Sequence, residues 1–122
     1  MKLFVLDRDY YTLKKFDTVL SSLDGKSSFL FFTNTTDFIQ AVKNDTPDAI
    51  IVDADSNLRI ETVKKILNFE IFPKIIISSS SDKFAVDAVN LRLFEYMLKP
   101  VSEKDIKDLY SKLKHPLLSK IR

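Results

Sequence analysis

Four residues that can do chemistry stand directly after apolar runs. Asp7 follows Lys2-Leu3-Phe4-Val5-Leu6, and Asp53 follows Ala49-Ile50-Ile51-Val52. Ser78 follows Ile75-Ile76-Ile77, and Lys99 follows Tyr96-Met97-Leu98. Continuous aliphatic and β-branched runs of this length read as strands buried on both faces. Parallel strands of an open α/β sheet end on one side, and ligands bind beyond those ends. Two carboxylates, a hydroxyl and an ammonium therefore converge on one rim. Such a set can hold a divalent cation and a phosphoryl group. Carboxylate attack on phosphorus requires the charge on three oxygens to be neutralised, which a magnesium ion and one lysine can do. Magnesium takes oxygen ligands and keeps several waters, so one or two carboxylates suffice.

The elements that must position these residues alternate along the chain. Residues 2–6 read as a first strand. Residues 10–23 carry Leu13, Phe16, Val19, Leu20 and Leu23 on a helical stripe. Asp24-Gly25-Lys26 is the turn, with Gly25 at the helix stop. Residues 29–33 form a second strand. Thr35 or Thr36 caps a helix that runs through Lys43, with Phe38, Ile39 and Val42 inward and Pro47 as its stop. Residues 49–52 are the third strand, and the loop 53–57 leads to a helix near 59–69 with Ile60, Val63, Ile66 and Leu67 as its apolar face. After Pro73, residues 74–78 are the fourth strand and 78–82 a polar loop. A helix follows over about 83–91, with Phe84, Ala88 and Leu91 on one side. Residues 94–98 are the fifth strand. Ser102 with Asp105 resembles a capping arrangement and opens a helix to about Lys114, which Pro116 closes. Residues 115–122 are expected to fray. Five βα units predict a parallel sheet covered on both faces, with right-handed crossovers. The spacing fits the flavodoxin-like (βα)5 order 2-1-3-4-5, a doubly wound α/β fold whose switch point lies between strands one and three, where Asp7 and Asp53 stand.

The 122 residues suit one domain with a real core. The absence of cysteine excludes thiol chemistry and Cys-ligated zinc. The apolar stretch 3–6 is too short for a signal peptide and meets Asp7, Arg8 and Asp9 at once. No stretch approaches the roughly 18–20 apolar residues of a membrane span. A soluble cytoplasmic protein without membrane association is expected. The net charge of +2 does not imply nucleic acid. Lys104, Lys107, Lys112 and Lys114 are interspersed with Glu103, Asp105 and Asp108, as on a solvated helix face, and no aromatic residues interleave them. The single glycine, Gly25, excludes every glycine-rich phosphate loop.

Taken together, Asp7, the segment 47–53 around Asp53, the segment Pro73-Lys74-Ile75-Ile76-Ile77-Ser78-Ser79 and the segment Phe94-Glu95-Tyr96-Met97-Leu98-Lys99-Pro100-Val101 resemble the CheY-like receiver domain of bacterial two-component response regulators. The resemblance covers nearly the whole chain, and the last segment is its most specific part. It implies that Asp53 accepts a phosphoryl group from a histidine kinase, with Ser78 and Lys99 binding phosphoryl oxygens. Ser78 and Tyr96 would be the switch pair, Ser79 would leave room for a donor, and Lys99–Pro100 would be a cis peptide. Magnesium would be held by Asp7, Asp53 and the main-chain carbonyl of Asp55. Such a domain signals rather than catalyses, beyond slow autophosphorylation from small donors and autodephosphorylation. Its implied partners are a sensor histidine kinase or phosphotransfer protein, and an output domain or partner protein met by the fourth helix, fifth strand and fifth helix. The chain is expected either to act through a partner or to be the leading piece of a longer regulator; a homodimer is also compatible. The segment 94–100 further resembles receivers that precede DNA-binding output domains of the LytR type.

One departure matters. Receivers carry two adjacent acids after the first strand, and here Arg8 replaces the second, which is usually the direct metal ligand. A guanidinium about 4 Å from magnesium is repelled by roughly 8 kcal/mol at an effective dielectric near 20, before solvent and rotation reduce it. Asp9 can turn in as a substitute, or the Asp55 carboxylate can supply the missing charge. Alternatively Arg8 pairs with Asp53 and the domain is a pseudo-receiver, an interaction module that never takes phosphate. Weakened magnesium-dependent phosphorylation is the first expectation. A flavin-binding flavodoxin is disfavoured, because Asp7 and Asp53 would repel the flavin phosphate.

Overall fold

The computed structural model describes residues 1–55, 57–71, 73–83, 85–91 and 93–115. Five parallel strands, β1 (Lys2–Leu6), β2 (Ser28–Phe32), β3 (Ala49–Asp53), β4 (Lys74–Ser79) and β5 (Glu95–Leu98), form one sheet of order β2-β1-β3-β4-β5. Five helices alternate with them: α1 (Tyr10–Leu23), α2 (Thr35–Asp45), α3 (Asn57–Leu67), α4 (Ala85–Asn90) and α5 (Glu103–Lys114). This is the flavodoxin-like arrangement that the alternation of apolar runs and helical stripes predicts.

Side chains alternate across a strand, so each buried strand feeds two cores. Leu3 and Val5 of β1 join Leu13, Phe16 and Leu20 of α1, Ile51 and Ile76, and Ile106 and Leu109 of α5. Phe4 and Leu6 join Phe38 and Val42 of α2, Ile50 and Val52, and Val63 and Ile66 of α3 on the other face. Each fully buried side chain of this size stabilises the fold by about 1.5–3 kcal/mol relative to exposure. Burial on both faces also pins the register, because a slip by one residue would exchange the two cores. The register places Leu6 opposite Val52 and Asp53 opposite Ser78.

Several local boundaries depart from the sequence expectation. Asn34, not Thr35 or Thr36, caps α2, its side chain accepting from the Asp37 amide at 3.0 Å. The helix runs on to Asp45, and Thr46 closes it at φ 45°, a left-handed conformation rarely adopted by a β-branched residue. Gly25 takes no positive φ; Asp24 caps α1 in extended backbone instead. The Asp24 carboxylate closes the turn by accepting from the Lys26 and Ser27 amides at 2.9 and 3.1 Å, so no left-handed glycine is needed. Leu23 is exposed rather than part of the inward stripe. α3 begins two residues earlier than expected, and α4 is shorter at both ends. Ser102 and Asp105 do form a reciprocal capping box for α5. Phe84, Pro116 and the tail beyond His115 lie outside the described residues.

Asp24 also ties α1 to α5. Its Oδ2 accepts from the Tyr110 hydroxyl at 2.7 Å and from the Ser27 hydroxyl at 2.5 Å. The Ser27 and Tyr110 hydroxyls and the Lys26 amide hold this carboxyl well below the usual range. Burial and the bond to Asp24 push the Tyr110 hydroxyl up to about 12. The folded state thus keeps a proton that the unfolded tyrosine releases near pH 10. The resulting stability is complete below pH 10 and is lost as pH rises toward 12. Tyr110→Phe should remove an ionisation step near pH 12 from the near-ultraviolet titration. It should also lower neutral-pH stability by about 1 kcal/mol, read from urea unfolding; an unaltered high-pH titration would contradict this assignment.

Candidate functional site

β1 delivers Asp7 to the rim, where its amide donates to the Phe32 carbonyl at 3.0 Å. Asp7 is only 1% exposed. Its Oδ1 accepts from the Asp9 amide at 2.8 Å, and its Oδ2 lies 3.3 Å from Lys99 Nζ. Burial raises its pKa, and the Asp9 amide and Lys99 offset this only in part.

Asp53 ends β3 with no solvent exposure. Its Oδ1 accepts from Lys99 Nζ at 2.8 Å and from the Asp55 amide at 3.0 Å. Its Oδ2 and the Oγ of its register partner Ser78 are both buried and take part in no hydrogen bond with a described residue. An unmet buried polar atom costs about 1–3 kcal/mol, so two side by side mark a place where the fold tolerates cost for chemistry. Arg8 pairs with Oδ2, its Nε 3.9 Å away on a side chain 64% exposed.

Lys99 follows β5, and its amide donates to the Ser79 carbonyl at 2.7 Å. The peptide bond to Pro100 is cis. Its Nζ touches all three acids: Asp53 at 2.8 Å, and Asp7 and Asp55 at 3.3 Å each. Burial acts to lower the pKa of this amine, but the bond to Asp53 and the charges of Asp7, Asp53 and Asp55 outweigh it and raise it.

The Asp55 side chain, offered from the sequence as a spare charge beside its main-chain carbonyl, has bonds of its own. Its Oδ1 accepts from the Ser79 hydroxyl at 2.9 Å, the Ser80 amide at 2.8 Å and the Ser80 hydroxyl at 3.1 Å. Burial pushes this carboxyl up, but Ser80, Ser79 and Lys99 together hold it below the usual range. Ser79 is accordingly a donor to Asp55 and not just a small residue. Asp9 does not turn into the pocket. It caps α1, accepting from the Tyr11 amide at 3.1 Å and the Thr12 hydroxyl at 2.8 Å, and those two bonds hold its carboxyl low. Tyr96 lies against Ala54, Ile60 and Ile77, and its hydroxyl donates to the Ser81 carbonyl at 2.7 Å.

The structure thus brings Asp7, Asp53, Asp55, Ser78, Lys99 and Arg8 together and leaves Asp9 outside. Reading along the chain offered the Asp55 carboxylate as a spare charge but missed its serine partners; the signal was an acid two residues past Asp53 with four consecutive serines, Ser78 to Ser81, at the end of the neighbouring apolar run. Among the described residues no group of three acids or histidines is disposed to hold a metal ion. The side chains explain why. Asp7 and Asp53 face an ammonium, Asp55 holds the serines, Asp9 caps a helix, and a guanidinium stands beside the free oxygen of Asp53. Of the magnesium set expected from the sequence, Asp7, Asp53 and the main-chain carbonyl of Asp55 with Asp9 as a substitute, both carboxylates pair with Lys99 and Asp9 is turned away to cap α1.

A parallel sheet ordered β2-β1-β3-β4-β5, with acids at the β1/β3 switch point, defines the CheY-like flavodoxin fold class. Solved structures agree. The response regulatory domain of protein mrkE from Klebsiella pneumoniae matches with a TM-score of 0.85 at 21% identity, over 98% of this chain and 99% of that one. The REC domain of AraT, a response regulator from Geobacillus stearothermophilus, matches with a TM-score of 0.82 at 15% identity, over 99% and 98%. No protein-family model matches the chain. The transcriptional regulatory protein LytR of Staphylococcus aureus is 26% identical over 117 residues, 93% of this chain and 47% of that protein. The sensory transduction protein LytR of Staphylococcus haemolyticus is 24% identical over 119 residues, 96% of this chain and 46% of that protein. The chain spans about half the length of these curated relatives. The chain has the fold of the response-regulator receiver domains, as the sequence resemblance implied. No helix among the described residues is long and apolar enough to cross a membrane.

Proposed function

We propose that this chain is a phosphorelay receiver of the cytoplasm in which Asp53 accepts a phosphoryl group from the phosphohistidine of a sensor kinase or phosphotransfer protein. The observation that carries this reading is the buried Oδ2 of Asp53 beside the buried hydroxyl of Ser78, neither of which hydrogen-bonds a described residue. Lys99 and the Asp55 amide hold Oδ1, so Oδ2 is the oxygen with lone pairs available for attack. The new O–P bond forms as the N–P bond to histidine breaks. Ser78 then donates to one phosphoryl oxygen, and Lys99 pairs with another. The added charge biases a two-state equilibrium. The readout face is α4, β5 and α5, where Val86, Val89 and Leu98 are exposed and Tyr96 reaches the β4–α4 loop. The occupant of that face is an output domain or a partner protein, in keeping with relatives described as sensory transduction and transcriptional regulatory proteins.

A second reading, a phosphorylation-independent interaction module, is favoured by the Arg8–Asp53 ion pair. Incubation with acetyl phosphate, with and without magnesium, separates the two. A receiver gains the mass of one phosphoryl group, and Asp53→Asn removes the gain. A folded protein that gains nothing under either condition is the interaction module.

A further inference from the structure

The acids meant for a divalent cation are engaged elsewhere, while a cation of this chain's own stands at the attacking oxygen. We propose that Arg8 takes the place of the metal, so that Asp53 exchanges phosphoryl groups without magnesium. This rests on the receiver reading of Asp53. Three observations carry it. Arg8 Nε lies 3.9 Å from Asp53 Oδ2. That distance allows charge–charge attraction but is too long for a hydrogen bond, and Oδ2 indeed receives none from a described residue. The nucleophile is thus held beside a positive charge with its lone pairs free. A tight bidentate pair would instead have blocked it.

The second observation is room. The Arg8 side chain is 64% exposed, so the guanidinium can swing outward with an arriving group. It has five N–H donors in a planar fork that fits two oxygens of a phosphoryl group. The third is the state of the acids. Asp7 is bound by the Asp9 amide and Lys99, Asp9 is the α1 cap, and Asp55 is bonded to two serines. Asp7, Asp53 and Asp55 carry three negative charges against the two positive charges of Lys99 and Arg8.

With acetyl phosphate as donor the step is balanced. The Oδ2 lone pair forms the bond to phosphorus, and the phosphorus–oxygen bond to acetate breaks. Its electron pair leaves with acetate as a carboxylate, and no proton moves. Arg8 and Lys99 flank the three phosphoryl oxygens, and Ser78 donates its hydroxyl to one of them.

The experiment follows the intact mass of the whole chain with acetyl phosphate, in EDTA and in magnesium, beside a calorimetric titration with magnesium alone. The expected result is a phosphoryl gain in EDTA at a rate comparable to that in magnesium. Arg8→Ala should lower the EDTA rate by about 100-fold, the scale of one lost charge-stabilising donor. Arg8→Lys, which keeps charge without the fork, should fall between. Arg8→Asp should make the gain depend on magnesium and tighten magnesium binding about tenfold or more. Because Arg8 is exposed, circular dichroism should show all three variants folded. A wild-type gain that occurs only with magnesium overturns the proposal and leaves Asp53 as acceptor. So does an EDTA rate unchanged by Arg8→Ala. No gain in any condition, for wild type and Arg8→Asp alike, overturns the receiver reading itself and this proposal with it.

Discussion

Replacing Lys99 with methionine should lower the stability of the fold by about 3 kcal/mol at neutral pH, the scale on which breaking a buried ion pair leaves charge uncompensated. The side chain is 17% exposed and its ammonium is shared by three acids, two of them almost fully enclosed. Methionine fills a similar volume but leaves three anions facing one another, with the exposed Arg8 beside Asp53. The pH dependence separates this cause from lost packing. The Lys99 pKa is raised above 10.5, so its contribution is complete below that pH and is lost as pH rises through the raised value. On the acid side the difference between variant and wild type should shrink as the carboxyls protonate, Asp7 first, because burial already raises its pKa. Urea unfolding midpoints measured across pH would show the largest gap near neutrality. Equal midpoints at pH 7, or a gap that does not narrow in acid, would refute the claim that one amine neutralises the pocket. The same variant should fail to accept a phosphoryl group.

That shared amine was legible in the sequence because it depends on strand ends, and strand ends follow from apolar runs. Asp53 and Ser78 each follow an apolar run, and a parallel register brings them opposite one another. Lys99 and Pro100 close the last run in the same way. Arg8 was visible as a departure for the same reason, since it directly follows Asp7. What was not legible depends on side-chain direction in loops. Asp9 and Asp55 each stand two residues past a strand-end acid, and nothing in the spacing says which turns inward. The α1 amides capture Asp9, and Ser79 and Ser80 at the end of β4 capture Asp55. Capping was ambiguous for a related reason. Asn34, Thr35 and Thr36 are all competent caps, and only the backbone geometry of the Asn34 residue selects one. The turn after α1 misled because glycine is the commonest stop, whereas an aspartate with two free amides ahead of it does the same work.

The capture of Asp55 leads to the second large effect. Asp55→Ala should cost about 2 kcal/mol, since it strips the acceptor from a buried serine hydroxyl and from the Ser80 amide and removes one charge from Lys99. The loss should be local. Ser80 and Ser81 lie on the loop that accepts the Tyr96 hydroxyl, so amide exchange should quicken there while the β1 and β3 amides keep their protection. Asp55→Asn keeps an acceptor oxygen for Ser80 but loses the pair with Lys99, and should recover roughly half of the stability. The Asp55 pKa is lowered, so its contribution is present above the ordinary value of 3.8 and is lost as pH falls through the depressed one. In wild type, then, the exchange of the loop should rise in acid before the sheet opens. Were Ser80 exchange identical in wild type and Asp55→Ala, the loop would be held by its own backbone, and the acid would have no grip on the segment that Tyr96 reads.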